Sequence, residues 1–163
     1  MDKQDQPAPT VPRIHLASLG CAKNLVDSEH LLARLATAGG LVGAPVEEAD
    51  VIIVNTCGFI GPATAESLET IRDYAAYKRE GTCQRLLVMG CLVQRNADDL
   101  RAELPEVDGF FGLDQDEAIV AACGLEVGPE NGARLLLTPH HTAYLRVSDG
   151  CDNRCAYCTI PLI

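Results

Sequence analysis

From Asp50 to Thr56 the chain reads DVIIVNT, an unbroken apolar run bounded by polar residues. A strand with one wet face alternates apolar and polar residues. A run without alternation suits a strand covered on both faces, as in the middle of a parallel sheet. Around it, short apolar runs alternate with amphipathic stretches of helical length, the pattern of repeated βα units. Ile14 to Leu19 reads as the first strand. Leu25, Leu31, Leu32 and Leu35 then recur at helical spacing, and Gly39 and Gly40 supply a C-cap. A short strand is expected between Leu41 and Val46. Beyond DVIIVNT, residues 61–81 read as a helix, Arg85–Gly90 as a strand, 96–105 as a helix ended by Pro105, Asp108–Leu113 as a fifth strand, and 114–123 as a helix. The expected class is α/β, a flavodoxin-like doubly wound parallel sheet with strand order 2-1-3-4-5.

Residues 1–12 are polar and carry Pro7, Pro9 and Pro12, too little apolar surface to order themselves, so they are expected to form a disordered tail. Residues 13–123 are expected to form the α/β domain, 124–139 a linker bearing Gly, Pro and Asn, and 140–163 the start of a second domain. RLLLT (134–138) and AYLRVS (143–148) read as two further strands. The N-terminus has no apolar signal region, so reduced thiols and a cytoplasmic location are expected. No apolar run nears the roughly 18 residues that cross a bilayer, so no membrane partner is expected. With 23 acidic against 13 basic residues, the net charge of -10 repels phosphate backbones. Direct nucleic-acid binding by this segment is therefore not expected, and a basic protein partner suits it better.

Eight cysteines stand in this chain. Cys151, Cys155 and Cys158 lie in GCDNRCAYC with C-x3-C-x2-C spacing, which brings three soft thiolates onto one loop and favours an iron–sulfur cluster, zinc or Cu(I). Three thiolates on a four-iron cluster leave one iron open. Zinc completed by His140 or His141 is the alternative, as is a loop whose cysteines bind nothing. Cys21, Cys57 and Cys91 each follow the carboxyl end of a strand, in SLGC, VNTC and VMGC. In the order 2-1-3-4-5 those strands are neighbours about 4.8 Å apart, and their loops converge where open α/β sheets bind ligands. A second cluster and three ordinary buried thiols both remain open for this trio. Cys83 and Cys123 fall on helix ends and read as ordinary thiols.

SLGCAKNLVDSE, NTCGFIGPATAESLETI, GCLVQR, EVDGFFGLDQ and AYLRVSDGCDNRCAYCTIP together resemble the radical S-adenosylmethionine methylthiotransferases over nearly all of residues 13–163. The likeness is to the branch that modifies an aspartate on small-subunit ribosomal protein S-twelve. The branch acting on adenosine beside the tRNA anticodon carries a glutamine–methionine pair where this chain has Ala22 and Lys23, and a serine where it has Gly58. The resemblance implies two 4Fe-4S clusters, one held by Cys21, Cys57 and Cys91 and one by Cys151, Cys155 and Cys158. It also implies S-adenosylmethionine bound at the second, with Tyr157 near its adenine. Further implied are ribosomal protein S-twelve as substrate and a flavodoxin or ferredoxin as electron donor. A non-catalytic iron–sulfur or zinc module is the reading from a different class.

A radical barrel takes about 200 residues or more, so residues 140–163 are expected to be only its first strand and cluster loop. By itself the 163-residue chain is expected to lack methylthiotransferase activity. Asn24 and Asn55 flank the strand-end cysteines and read equally as tuning groups and as turn formers. Asp27, Ser28 and Glu29 read as the opening of the first helix, where acids suit the dipole and serine can cap. His140 and His141 read as solvated loop residues.

Overall fold

Residue by residue, β3 (Val51–Thr56) is buried throughout its length. Its side chains alternate between two separate cores, so both faces are dry. Ile52 and Val54 join Leu86, Val88, Ile71, Leu92, Val93 and Leu100 on one side, while Val51 and Ile53 join Ile14, Leu31, Leu35, Leu87, Met89 and Ile119 on the other. The computed structural model describes residues 11–129, 132–148 and 150–162. Most of the expected tail, residues 1–10, lies outside them.

Five parallel strands run in the order β2-β1-β3-β4-β5, as the sequence implies. The others are β1 (Arg13–Ser18), β2 (Leu41–Val42), β4 (Arg85–Gly90) and β5 (Gly109–Phe111). Helices α1 (Ala22–Thr37) and α4 (Asp116–Ala122) contribute to one core. Helices α2 (Gly61–Arg79) and α3 (Cys91–Glu103) contribute to the other. The chain leaves β1 toward β2, returns past β1 to β3, and continues to β4 and β5. That reversal puts the topological switch point between β1 and β3, at their carboxyl ends.

Local chemistry sets the helix ends. After α1 the N–H groups of Gly39 and Gly40 close on the carbonyls of Ala36 and Leu35, the paired bonds of the expected glycine C-cap. Helix α3 begins five residues earlier than its sequence pattern suggests, directly at Cys91, and breaks at Asn96 (φ -134°, ψ 31°). Burial of Leu92 and Val93 against the sheet accounts for the extra turn. Helix α1 likewise starts at Ala22, so Asp27, Ser28 and Glu29 lie in its second turn and do not open it.

Residues 134–138 and 143–148, read above as strands, form no ladder among the described residues. A strand exists only through a hydrogen-bonded neighbour, and here the N–H groups of Leu135 and Leu137 bond to Glu29 of α1 instead. No described helix is long and apolar enough to cross a membrane.

Cys123, at the C-cap of α4, is buried in the same core as α1, and burial pushes its thiol up to about 12 from an ordinary 9.0. The folded chain keeps this proton where the unfolded chain releases it, so its stabilising effect is full below pH 9 and is lost as pH rises toward 12. Urea titrations across pH 8–12 are expected to show falling stability, with a shallower fall in Cys123→Ala.

Candidate metal centre

The carboxyl ends of β1, β3 and β4 deliver Cys21, Cys57 and Cys91 to one place. Cys21 is the N-cap of α1, Cys57 follows β3, and Cys91 is the first residue of α3. The thiols of Cys21 and Cys91 both donate to Oδ1 of Asn24, at 3.5 and 3.8 Å. Cys57 closes the third side: a Cβ placed on Gly20 would lie 2.6 Å from its Cβ and 3.1 Å from its Sγ.

Asn24 cannot turn away from these thiols. Its Nδ2 donates to the Thr56 carbonyl at 2.9 Å and to Asn55 Oδ1 at 3.4 Å, which leaves Oδ1 facing the sulfurs. Asn55 in turn donates through Nδ2 to the Asn24 carbonyl at 2.9 Å and to Ser28 Oγ at 3.0 Å, and Ser28 reaches Ser18 Oγ at 2.8 Å. Asn24, Asn55 and Ser28 are all buried, so each is held because a buried polar group without a partner is costly. The sequence left both asparagines undecided. Their burial and pairing show them to be the frame under the thiols.

Close backbone approach completes the crevice. Ser67 of α2 accepts the Cys57 N–H at 3.1 Å and donates to the Ala63 carbonyl at 2.8 Å, tying the Cys57 loop to α2. A side chain at Gly58 would stand 2.7 Å from the Leu92 Cα, so the first turn of α3 seats directly on that glycine. Gly90 has φ +103°, a conformation open to glycine, and a Cβ there would meet Asn55 Oδ1 at 2.4 Å.

Burial pushes the Cys91 thiol up to about 11, and the neighbouring Cys57 and Cys21 sulfurs add to the effect. Cys21 is exposed, Cys57 buried and Cys91 between them, so the trio is open on one side. Among the described residues no three His, Cys, Asp or Glu side chains close around a single ion. A cluster of several irons takes each thiolate on a different iron, so its ligands stand farther apart than those of one ion. Three soft sulfurs, with Cys21 capping a helix whose dipole favours negative charge, fit such an anionic group.

Cys151 and Cys155 are exposed and Cys158 partly so. The Cys158 N–H closes a turn on the Cys155 carbonyl at 3.0 Å, and Asn153 Nδ2 lies 3.6 Å from Cys151 Sγ. Tyr157 is 90% exposed, and His140 and His141 are exposed as expected. Cys83 and Cys123 are buried away from either trio, Cys83 donating to the Arg85 carbonyl at 3.1 Å.

A family model described as "Uncharacterized protein family UPF0004" matches residues 13–112, which carry all three strand-end cysteines. The chain belongs to this family. Relatives named ribosomal protein uS12 methylthiotransferase RimO include those of Heliobacterium modesticaldum, 49% identical over 91% of this chain and 35% of the relative, and Aquifex aeolicus, 48% identical over 93% and 34%. That of Anaeromyxobacter sp. strain Fw109-5 is 46% identical over 91% of this chain and 34% of its own length. The chain thus spans about a third of the length of these relatives. The matched region coincides with the sheet and its crevice, and the aligned share runs on into the segment that bears the second triplet.

Gly90→Ala is expected to lower stability by about 3 kcal/mol in urea unfolding, since it adds backbone strain and a clash with the buried Asn55 amide. Gly61→Ala, where a Cβ meets open space, should change it far less.

Proposed function

We propose that the chain is the cluster-bearing part of a transferase that methylthiolates an aspartate of small-subunit ribosomal protein S-twelve by radical S-adenosylmethionine chemistry. The observation that supports this most is the meeting of three thiols from β1, β3 and β4 at the carboxyl edge of the sheet, over an amide locked toward them. Cys21, Cys57 and Cys91 would hold one 4Fe-4S cluster. Cys151, Cys155 and Cys158 would hold the other, with Tyr157 beside S-adenosylmethionine. When bound, these groups would supply one-electron chemistry and the sulfur to be transferred. The names of the relatives point to the same substrate.

The chain's own residues account for positioning. Asn24 sets the direction of the Cys21 and Cys91 sulfurs, and the Thr56 carbonyl prevents its amide from flipping. Ser67 fixes the Cys57 backbone from a different helix. The three ligands therefore hang from three strands and three helices, a frame that excludes water from beneath the site while Cys21 leaves its outer side open. Assembly must displace the proton that the buried Cys91 retains at neutral pH.

Net negative charge and the glycine at position 58 favour the protein substrate over tRNA. A serine at position 58, as in the tRNA-modifying branch, would press on the Leu92 backbone.

Anaerobic reconstitution with iron and sulfide, followed by iron counting and EPR of the reduced protein, tests the proposal. About eight irons are expected in the parent and about four in each of Cys21→Ala and Cys151→Ala. Stoichiometric zinc without broad visible absorbance would defeat it in favour of a zinc-stabilised interaction domain.

A further inference from the structure

Helix α1 carries a second set of contacts that the thiol crevice does not use. Glu29 is fully buried, and its carboxylate accepts Arg134 Nε at 2.6 Å through Oε2 and the Leu137 N–H at 2.7 Å through Oε1. Its backbone carbonyl accepts the Leu135 N–H at 3.1 Å. Arg134 also donates through Nη1 to the Tyr144 carbonyl at 2.7 Å, which ties the two halves of the downstream segment together. Two residues before Glu29, Asp27 pairs with Arg146. Tyr144–Ser148 face Ala22, Lys23 and Val26 of α1 across a shallow cleft.

A buried carboxylate is tolerated only with a charged partner and filled hydrogen-bonding positions, and here both come from more than 100 residues downstream. Residues 134–148, which pair with no strand among the described residues, are instead held along one helix by two ion pairs and two bonds from backbone N–H groups. That helix starts at the Cys21 cap, and its first turn holds Asn24 under Cys21 and Cys91. Asn24 and Glu29 are about 7.5 Å apart along its axis. Cys151 follows three positions after the end of the held segment.

We propose that α1 is a coupling rod: Glu29 and Asp27 are positioning residues that clamp the approach to the Cys151 loop onto the helix that frames the Cys21, Cys57 and Cys91 crevice, so the two triplets keep a set separation. This rests on the two-centre function proposed above for its purpose, although the clamp itself needs no bound group. Transfer between two centres demands a fixed geometry, and one rigid helix contacting both supplies it.

Hydrogen exchange on the iron-free 163-residue chain tests the clamp directly. In Arg134→Met the Leu135 and Leu137 amides are expected to exchange at least about tenfold faster than in the parent, with β3 amides unchanged. Asp27→Arg and Arg146→Asp should each speed exchange across 143–148, and the double variant should restore the parent rate, a rescue that loss of packing alone would not produce. Unchanged exchange in Arg134→Met, or a double variant no slower than the singles, overturns the proposal. If Arg134→Met also loosens β3, the swap at 27 and 146 decides alone. With iron restored, the magnetic interaction between the two reduced centres is expected in the parent and the double swap and reduced in the single variants. Equal interaction in all four overturns the coupling. An iron count of one centre or none defeats the function proposed above and leaves the exchange result to decide on the clamp.

Discussion

Burial of β3 on both faces is the constraint from which the rest of the architecture follows. A strand whose six residues are all inaccessible must be paired on both edges and covered by helices above and below, because its backbone and its apolar side chains have no other place to go. That requirement places β1 and β4 beside it, and α1 with α4 opposite α2 with α3. It also confines polarity to the ends of the strand. Asn55, Thr56 and Cys57 sit where the helix layers part, so the polar chemistry of the domain gathers at the carboxyl edge.

Polar groups in that position are expensive, and the structure offsets the cost by making each one serve another. Asn24 and Asn55 bond each other's side chain or backbone, Thr56 accepts from Asn24 and donates to the Met89 carbonyl at 2.6 Å, and Ser28 and Ser18 finish the chain. The network joins β1, β3, β4 and α1, the elements from which Cys21, Cys57 and Cys91 project. Fully satisfied buried networks of this kind are stiff, since any rotation breaks several bonds at once. Stiffness is what a set of ligands on three loops needs in order to meet with correct spacing.

Helix α1 has a double role in this arrangement. One part of its surface packs Leu31 and Leu35 into the core, as any helix of an α/β sandwich does, while its first two turns face the thiols and the downstream segment. Its burial of Glu29 would be a defect in an isolated domain. Paired with Arg134 and the Leu137 N–H, it becomes the attachment point for the residues that lead to Cys151.

Much of this was legible in the residues. The period of apolar residues determined the strands and helices, the uninterrupted VIIV run determined a two-sided parallel sheet, and the place of Cys21, Cys57 and Cys91 after strand ends determined that they would meet once the strand order was right. These properties are local or follow from rules of chain connection, so one sequence suffices. Other features needed the folded chain. The start of α3 at Cys91 depends on Leu92 and Val93 finding the sheet, which no helical spacing announces. The absence of strands at 134–138 and 143–148 depends on partners, because an extended apolar segment becomes a strand only when another edge is free to pair. Asp27 and Glu29 looked like ordinary first-turn acids, and only tertiary structure decided that they hold Arg146 and Arg134. Sequence periodicity records which face of an element is apolar, whereas an ion pair between residues 105 positions apart leaves no periodic trace and exists only once the fold has brought the two together.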